Sequence, residues 1–336
     1  MAALSRHVLP PGAFTLHCPP GLRHQSSWLG EAMIALGALM VIGSVPAVPV
    51  LLVWLWRRAR RAEPDARPRM WAWFAAVLIG YLVVAYVPVR QRPWLVQTPW
   101  FRWFLEYFSV RMVYRDGKPL QPGQYFFLMM PHGLYPWSGA CATVSKLVDI
   151  FFKMRMASAP VLFRLPIIRH LLGWIGSIPA DKASMSAALK NGECVGLYPG
   201  GIAETVRTES ASERLLLKSR RGFVHLAFQH GTPIVPVYVF GQSIVWNQLK
   251  MPRWIETLSR WLRVTLFIPY GRFGTLMPRK VPLLFAVGSP IPCSRKETPT
   301  PEEVETVLRS VAAAVEDLYH CYKGLYGWSD RPLIID

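Results

Sequence analysis

The chain has 336 residues, of which 52% are hydrophobic and 17% charged, and its mean hydropathy of +0.23 is high for a soluble protein. Its net charge of +18 favours binding to an anionic membrane surface or to a polyanionic soluble substrate, and a merely basic surface is the alternative. The sequence contains no zinc-finger, helix-turn-helix or RNP pattern that would point to nucleic-acid binding. Five cysteines without a CxxC spacing argue against a disulfide framework or a zinc site and suit a reducing compartment facing the cytosol.

Apolar residues concentrate in the N-terminal part of the chain. Residues 1–29 are rich in Pro, Gly and His and predict an irregular tail. Residues 30–89 contain two uncharged stretches, 32–56 and 70–89, each long enough to cross a hydrocarbon core of about 30 Å. Tryptophans stand at their edges, as is usual at membrane interfaces. We therefore predict two membrane segments; a buried helical hairpin of a soluble protein is the alternative.

The loop between these segments is strongly basic. Residues 57–69 carry six arginines against Glu63 and Asp65, and the positive-inside rule places such a loop in the cytosol. A simple two-span hairpin would then put the following domain on the opposite side of the membrane. Pro46 and Pro49 can break the first segment so that it dips in and returns, but membrane helices also tolerate proline. The sequence leaves re-entrant and spanning arrangements open.

Residues 90–336 are interpreted as one α/β domain. Four short apolar runs predict strands at residues 125–130, 194–198, 234–240 and 283–287, so we expect a sheet covered by helices. The last helix is well signalled because Thr300 is an N-cap candidate, Pro301 suits the first helical position and Glu303 completes a capping box. Residues 253–263 place Trp, Ile and Leu on one helical face, which is typical of a helix lying on a bilayer or of an ordinary packing helix.

His132 is the first candidate for chemistry. It follows the strand at residues 125–130 in the turn Pro131-His132-Gly133, and loops at strand ends are where scaffolds hold reactive groups. A histidine with a pKa near neutrality can take a proton from a hydroxyl group. By itself the motif also fits a structural histidine.

Two further motifs supply groups for anions. Gly200 and Gly201 follow the strand at residues 194–198, and their backbone N–H groups can form an oxyanion hole. Glu204 is spaced to turn back towards that site, with a tight turn and a surface glutamate as the alternative. Arg220 and Arg221 precede a helical stretch and suit phosphate capture, unless they belong to a solvated basic face.

Other catalytic patterns do not occur in the sequence. It contains no GxSxG elbow, no Walker loop, no GxGxxG after a strand and no HExxH. His225 and His230 are five residues apart, so they share a helical face poorly and do not suit a metal site. We therefore expect no metal and no bound cofactor.

Together the motifs resemble the type 2 diacylglycerol acyltransferase family, which includes monoacylglycerol and wax-alcohol acyltransferases. The similarity is strong at residues 220–242, where RRGFVHLA continues into HGTPIVPV and FGQ. YGRFG at 270–274, VGSPI at 287–291, and GSIP at 176–179 ahead of YPGG at 198–201 fit the same family, and the resemblance covers about residues 95–325. It implies an acyltransferase-like α/β sheet covered by helices, preceded by the hydrophobic membrane hairpin.

The resemblance also implies roles for the candidate residues. His132 would take the proton of an acceptor hydroxyl as its oxygen attacks the thioester of acyl-CoA. Backbone amides near Gly133 or the glycine pair 200–201 would stabilise the oxyanion. Arg220 and Arg221 would bind the phosphates of CoA.

This chain departs from related patterns beside His132. Family members commonly carry His or Glu before the Pro-His pair, where this sequence has Met130. Glycerophospholipid acyltransferases carry Asp five residues after their histidine, where this sequence has Trp137. A local His–Asp dyad is therefore absent from the sequence, and we hypothesise that Glu204 is the partner of His132.

The resemblance implies a membrane-embedded enzyme that makes triacylglycerol by direct transfer from acyl-CoA to the sn-3 hydroxyl of diacylglycerol. The resemblance implies a location at the endoplasmic reticulum membrane, with the lipid droplet surface as a further site. Expected partners are acyl-CoA, diacylglycerol or a related lipid alcohol, and membrane lipid; a homo-oligomer is left open. The alternatives are a wax-alcohol or monoacylglycerol acyltransferase and, outside enzymes, a membrane scaffold that binds neutral lipid.

Overall fold

The computed structural model describes residues 14–17, 27–92, 94–95, 98–143, 154–201, 203–204, 212–249 and 268–336. Its helices are α1 (Trp28–Arg61), α2 (Arg67–Tyr86), α3 (Pro99–Tyr107), α4 (Trp137–Thr143), α5 (Pro166–Trp174), α6 (Lys182–Lys190), α7 (Gly222–His230) and α8 (Pro301–Tyr326). Its strands are β1 (Phe14–His17), β2 (Arg111–Tyr114), β3 (Phe126–Met130), β4 (Arg155–Ser158), β5 (Ile178–Pro179), β6 (Val195–Leu197), β7 (Glu213–Leu215), β8 (Ile234–Phe240), β9 (Asn247–Gln248), β10 (Pro269–Tyr270), β11 (Leu284–Val287) and β12 (Leu333–Ile335). The helix predicted at residues 253–263 lies outside the described residues.

An eight-stranded sheet forms the centre of the domain, in the order β1-β2-β11-β8-β3-β6-β4-β5. Parallel pairing connects the five consecutive strands β8, β3, β6, β4 and β5, whereas β11 pairs antiparallel with β8. Two short pairs, β9 with β10 and β7 with β12, lie outside this sheet. The predicted α/β class, a mostly parallel sheet with helices, is confirmed.

Helices cover both faces of the sheet, and β3 shows why its sequence is continuously apolar. Phe126, Leu128 and Met130 pack into the cluster that contains α6, α7 and α8. Phe127 and Met129 point to the other face and join α3 and α4. Since successive side chains of a strand alternate between faces, a strand covered on both sides needs an apolar residue at every position.

The predicted strands and the last helix are confirmed. β3, β6, β8 and β11 each begin and end within one residue of their predicted bounds. At the start of α8, the Thr300 hydroxyl accepts from the Glu303 backbone N–H, and the Glu303 carboxylate accepts from the Thr300 backbone N–H. This reciprocal pairing is the predicted capping box.

One part of the predicted irregular tail is a strand. β1 pairs antiparallel with β2 at the edge of the sheet. The prediction of irregular structure throughout residues 1–29 is therefore wrong at residues 14–17. The edge strand of a sheet has unpaired backbone N–H and C=O groups, which can pair with a neighbouring segment of any composition. Such a strand is therefore not visible in the composition of the segment.

Both predicted hydrophobic stretches are helical. Among the described residues, α2 is a helix long and apolar enough to span a membrane, and none of its residues is buried. α1 consists of Trp28–Ser44 and Pro46–Arg61, which meet at 58°, and it qualifies only when this bent pair counts as one span. Pro46 lacks an N–H and its ring crowds the preceding turn, which explains a bend at this point. Placement of the two helices in a membrane stays a prediction.

The first half of α1 is docked onto the α/β domain. The indole N–H of Trp100 in α3 donates to the carbonyl of Met33 at 3.3 Å. A Cβ atom on Gly37 would lie only 2.7 Å from the Trp100 ring, so glycine permits this close approach. Glu31 also pairs with Arg272 at 2.7 Å and Lys280 at 2.9 Å. These contacts connect the hydrophobic N-terminal part to the sheet domain.

Candidate active site

Three neighbouring parallel strands end at the same edge of the sheet. His132 follows β3, Gly200 follows β6 and Gln242 follows β8. In open α/β sheets, ligands bind outside the carboxyl ends of parallel strands. The structure thus brings the His132 turn and the Gly200 turn together at one edge of the sheet.

Two buried side chains hold the backbone of His132 from opposite sides. Its N–H donates to Glu204 Oε1 at 2.5 Å, and its carbonyl accepts from Gln242 Nε2 at 3.3 Å. Gln242 Nε2 also donates to the Tyr135 carbonyl at 2.6 Å, while its Oε1 accepts from the Ser138 N–H at 3.0 Å. The amide of Gln242 therefore fixes the turn at three points.

The contact of the His132 ring defines its basic nitrogen. Nδ1 lies 2.8 Å from the Gly133 carbonyl oxygen. Because a carbonyl oxygen can only accept, Nδ1 carries the proton in this contact and Nε2 carries the lone pair. Burial lowers the pKa of His132, against the opposing effect of the bond to Gly133. The ring is consequently neutral at pH 7 and suited to receive a proton at Nε2.

Gly133 must be glycine for two reasons. Its φ is +64°, which disfavours residues with a Cβ atom. A Cβ atom here would also lie 2.8 Å from the Gln242 carbonyl oxygen. The same residue supplies the carbonyl that orients the ring of His132.

Trp137 occupies the position at which glycerophospholipid acyltransferases carry Asp, and it serves a different purpose. Its ring stacks on Phe104 and Trp246, with centroids 5.2 and 6.4 Å apart. The His132 ring instead makes a T-shaped contact with the Tyr198 ring, with centroids 5.4 Å apart and planes at 76°. The Tyr198 hydroxyl is in turn hydrogen-bonded to a serine hydroxyl of α4. A backbone carbonyl and an aromatic ring therefore both contact the His132 ring.

Glu204 is buried, with only 1% of its surface exposed, so the surface-glutamate alternative is wrong. Its Oε1 accepts from the His132 N–H and its Oε2 from the Leu216 N–H at 3.1 Å. Burial raises the pKa of Glu204 to about 7, although both backbone hydrogen bonds act in the opposite direction. These contacts position the main chain of His132; a direct role as partner of the ring stays a prediction.

The glycine pair is required by the packing of Glu204. A Cβ atom on Gly200 would overlap Glu204 Oε2. Gly201 has a φ of +54°, which allows the chain to turn back after β6. Their use as oxyanion donors, like that of Gly133, stays a prediction.

The two predicted phosphate ligands diverge. Arg220 Nη2 donates to the Gly200 carbonyl at 3.2 Å, and its charge acts to lower the pKa of nearby Glu204. Arg220 Nε is buried and has no hydrogen-bond partner among the described residues. The Arg221 side chain is 63% exposed and pairs with Glu305 of α8 at 3.3 Å. Arg220 thus lies at the glycine turn, whereas Arg221 contacts the last helix.

A buried acidic residue supports the turn that contains Gln242. Glu213 accepts from the hydroxyls of Tyr238 at 2.9 Å and Ser243 at 2.6 Å. Arg331 pairs with the same carboxylate at 2.7 Å. A buried charge needs such partners because its desolvation is costly. This network fixes the residue next to Gln242.

Sequence reasoning did not identify Gln242 as a functional residue. The available signal was its position directly after Gly241 at the end of β8, because β8 was predicted correctly and residues that follow a strand are candidates for a site. Among the described residues, no group of three His, Cys, Asp or Glu is arranged to hold a metal ion. The expectation that the protein needs no metal or cofactor stays a prediction.

The sequence model of the diacylglycerol acyltransferase family matches residues 67–336. The chain belongs to this family. It is similar to mouse 2-acylglycerol O-acyltransferase 1, with 28% identity over 73% of this chain and 79% of that protein. It is also similar to diacylglycerol O-acyltransferase 1 of Schizosaccharomyces pombe, with 29% identity over 70% of this chain and 74% of that protein.

A solved structure with partial similarity is the 1-acyl-sn-glycerophosphate acyltransferase of Thermotoga maritima. The two share a TM-score of 0.40 and 11% identity, over 87% of this chain and 94% of that one. Membership of the diacylglycerol acyltransferase family, rather than this similarity, establishes the activity. The protein is an acyl-CoA-dependent O-acyltransferase, as the sequence resemblance implied.

Proposed function

We propose that this acyltransferase passes the acyl group of acyl-CoA directly to the sn-3 hydroxyl of diacylglycerol, with His132 as general base. The observation that carries the proposal is the contact of 2.8 Å between His132 Nδ1 and the Gly133 carbonyl, which leaves Nε2 as the basic nitrogen. The names of the relatives support an acylglycerol as acceptor.

The proposed reaction needs no acyl-enzyme. His132 Nε2 takes the proton of the acceptor hydroxyl while the hydroxyl oxygen bonds to the thioester carbonyl carbon. The carbon–sulfur bond then breaks, CoA leaves as a thiolate, and the imidazolium returns the proton to that sulfur. Backbone N–H groups at Gly133 or at Gly200 and Gly201 are the proposed oxyanion donors, a contribution that is typically about 3–4 kcal/mol for one donor. Arg220, beside Gly200, is the proposed ligand of a CoA phosphate.

The lipid acceptor is proposed to reach the site from a membrane. α2 has no buried residue, and many large apolar side chains of α1 and α2 are exposed. One apolar cluster extends from Leu134 and Trp137, beside the catalytic turn, through Phe104 to Ile34 and Ala38 of α1. Acyl chains would follow this cluster from the bilayer. We propose the endoplasmic reticulum membrane and the lipid droplet surface as locations.

The base is tested with His132→Ala, using His225→Ala as the matched control because His225 is exposed on α7. Loss of a general base is expected to lower kcat by about 10²–10⁴, whereas the control retains wild-type turnover. Both purified variants are compared for folding and for acyl transfer. Wild-type kcat in folded His132→Ala would overturn the mechanism.

The acceptor is tested by expression in cells that lack neutral-lipid synthesis, followed by separation of lipid classes. Triacylglycerol is the expected product. Accumulation of wax ester alone, of diacylglycerol alone, or binding of neutral lipid without any product would each contradict the proposed acceptor and favour one of the alternatives.

A further inference from the structure

A groove of about 360 Å³ lies where α2 ends, between α1, α5 and the segment at residues 87–92. Its size falls in the range of small-molecule sites, about 300–1,000 Å³. Apolar side chains from three parts of the chain form its wall, among them Met40 of α1, Leu171 of α5, and Val87, which follows α2. The groove thus has the surface expected for a hydrocarbon chain.

Hydrogen bonds give this groove a fixed shape. His170 Nε2 donates to the Val84 carbonyl at 2.8 Å, and the Arg169 guanidinium donates to the Ala85 carbonyl. The last carbonyls of a helix have no partner within it, so α5 supplies partners to the end of α2. The Arg92 backbone N–H also donates to the carbonyl of the last residue of α5 at 3.0 Å.

Close packing reinforces these bonds. A Cβ atom on Gly173 would overlap the side chain of Val89. Only a glycine at this position allows α5 to lie directly against the segment that follows α2. The groove is therefore a built feature between two elements in contact.

The groove is lined by basic residues as well as apolar ones. Arg90, Arg92 and His170 belong to its lining, which contains no Asp or Glu. Both arginines are exposed, and no ion pair of either occurs within the described part of the chain. An anionic group is the complementary occupant.

The position of these arginines along the chain selects a membrane anion. α2 is the membrane-span candidate, and Arg90 follows its last residue, Tyr86, by four positions. Four extended residues span at most about 14 Å. The headgroup region extends about 5–8 Å beyond the hydrocarbon core on each side, so Arg90 can reach it from the end of α2. Basic pockets beside membrane helices at this depth bind anionic headgroups.

We infer that this groove binds one anionic glycerophospholipid of the bilayer. Its phosphate lies at Arg90 and Arg92, and one acyl chain lies along Leu171 and Val87. The inference rests on the proposed membrane placement of α2, and it is independent of the proposed acyl transfer at His132.

The test measures phospholipid binding to the full-length protein in nanodiscs of phosphatidylcholine, with and without phosphatidylserine, followed by native mass spectrometry. Arg90→Gln/Arg92→Gln is compared with Lys118→Gln/Arg309→Gln, which removes the same charge at exposed residues outside the groove. Phosphatidylserine is expected to bind the groove variant about thirtyfold more weakly and the control variant as tightly as the wild type.

A second variant, Leu171→Trp, fills the groove without a change of charge and is also expected to weaken phosphatidylserine binding. Equal affinity of the groove variant and its charge-matched control would overturn the inference. Displacement of phosphatidylserine by free CoA would also overturn it, because the basic residues would then serve a soluble ligand. The binding measurement does not require catalytic activity. A protein that binds phosphatidylserine selectively but transfers no acyl group would therefore contradict the proposed function and leave the lipid-binding groove supported.

Discussion

Replacement of Gln242 by Glu tests whether the position of His132 depends on one amide. Gln242 is 1% exposed; it donates to the carbonyls of His132 and Tyr135 and accepts from the Ser138 N–H. Glutamate has nearly the same shape and keeps an acceptor for Ser138. It removes both donors, and it places a carboxylate oxygen against two carbonyl oxygens.

The expected loss follows from these contacts. A buried acceptor deprived of its donor costs about 1–3 kcal/mol, so two such carbonyls cost about 2–6 kcal/mol. A displacement of about 1 Å at a reacting group can lower the rate about 100-fold. We therefore expect kcat of folded Gln242→Glu to fall about 100-fold, with a smaller change in KM for acyl-CoA.

Gln124→Glu is the matched control. Gln124 Nε2 also donates to two carbonyls, those of Leu189 at 2.6 Å and Glu193 at 3.1 Å, but Gln124 lies before the start of β3, at the opposite edge of the sheet from His132. Unfolding in denaturant measures stability, and turnover is expressed per folded enzyme. Both variants are expected to lose stability, and only Gln242→Glu should lose kcat.

Two outcomes would refute this reasoning. Wild-type kcat in folded Gln242→Glu would show that the turn holds His132 without the amide. An equal loss of kcat in Gln124→Glu would show that the effect reports general destabilisation.

The remaining predictions concern the charged residues of the site. Arg220→Gln is expected to raise KM for acyl-CoA at least about tenfold, because a hydrogen bond to a charged group contributes about 1.5–3 kcal/mol. Arg221 is exposed, so Arg221→Gln should change this KM less than about twofold. Equal effects of the two variants in steady-state kinetics would contradict the assignment of the CoA phosphate to Arg220 alone. The pKa of Glu204 rises from 4.5 to about 7 on folding, so the native state retains a proton that the unfolded state releases. The contribution of Glu204 to the free energy of unfolding is fully present below pH 4.5, where Glu204 is protonated in both states. This contribution is expected to fall by about 3 kcal/mol as the pH rises to 7. Glu204→Gln should abolish that slope in denaturation measured across pH, and parallel curves for wild type and variant would contradict the assignment.

The elements that the sequence predicted correctly have local signals. β3 and β8 are apolar at nearly every position because the sheet is covered on both faces, and this pattern is visible without knowledge of any partner. The capping box of α8 involves only Thr300 and Glu303, which are three residues apart. His132 was predicted as a candidate from a similar local signal, since it lies two residues after the end of a recognisable strand.

The features that were missed depend on pairing between distant segments. β1 is a strand because the edge of β2 is available to it. Arg220 and Arg221 are adjacent in sequence, yet one contacts the Gly200 turn and the other contacts α8. Sequence spacing cannot distinguish two neighbouring side chains that leave the backbone in different directions.

His132 illustrates the division between sequence and tertiary structure. The sequence alone determined the strand that precedes His132 and the family, and it predicted His132 as the base, because these depend on local patterns and ordered motifs. Only the folded structure decided how the base is held: Glu204, 72 residues away, accepts from its N–H, and Gln242, 110 residues away, donates to its carbonyl. Those bonds exist because β3, β6 and β8 are parallel neighbours in register, which brings the ends of three separate segments to one edge of the sheet.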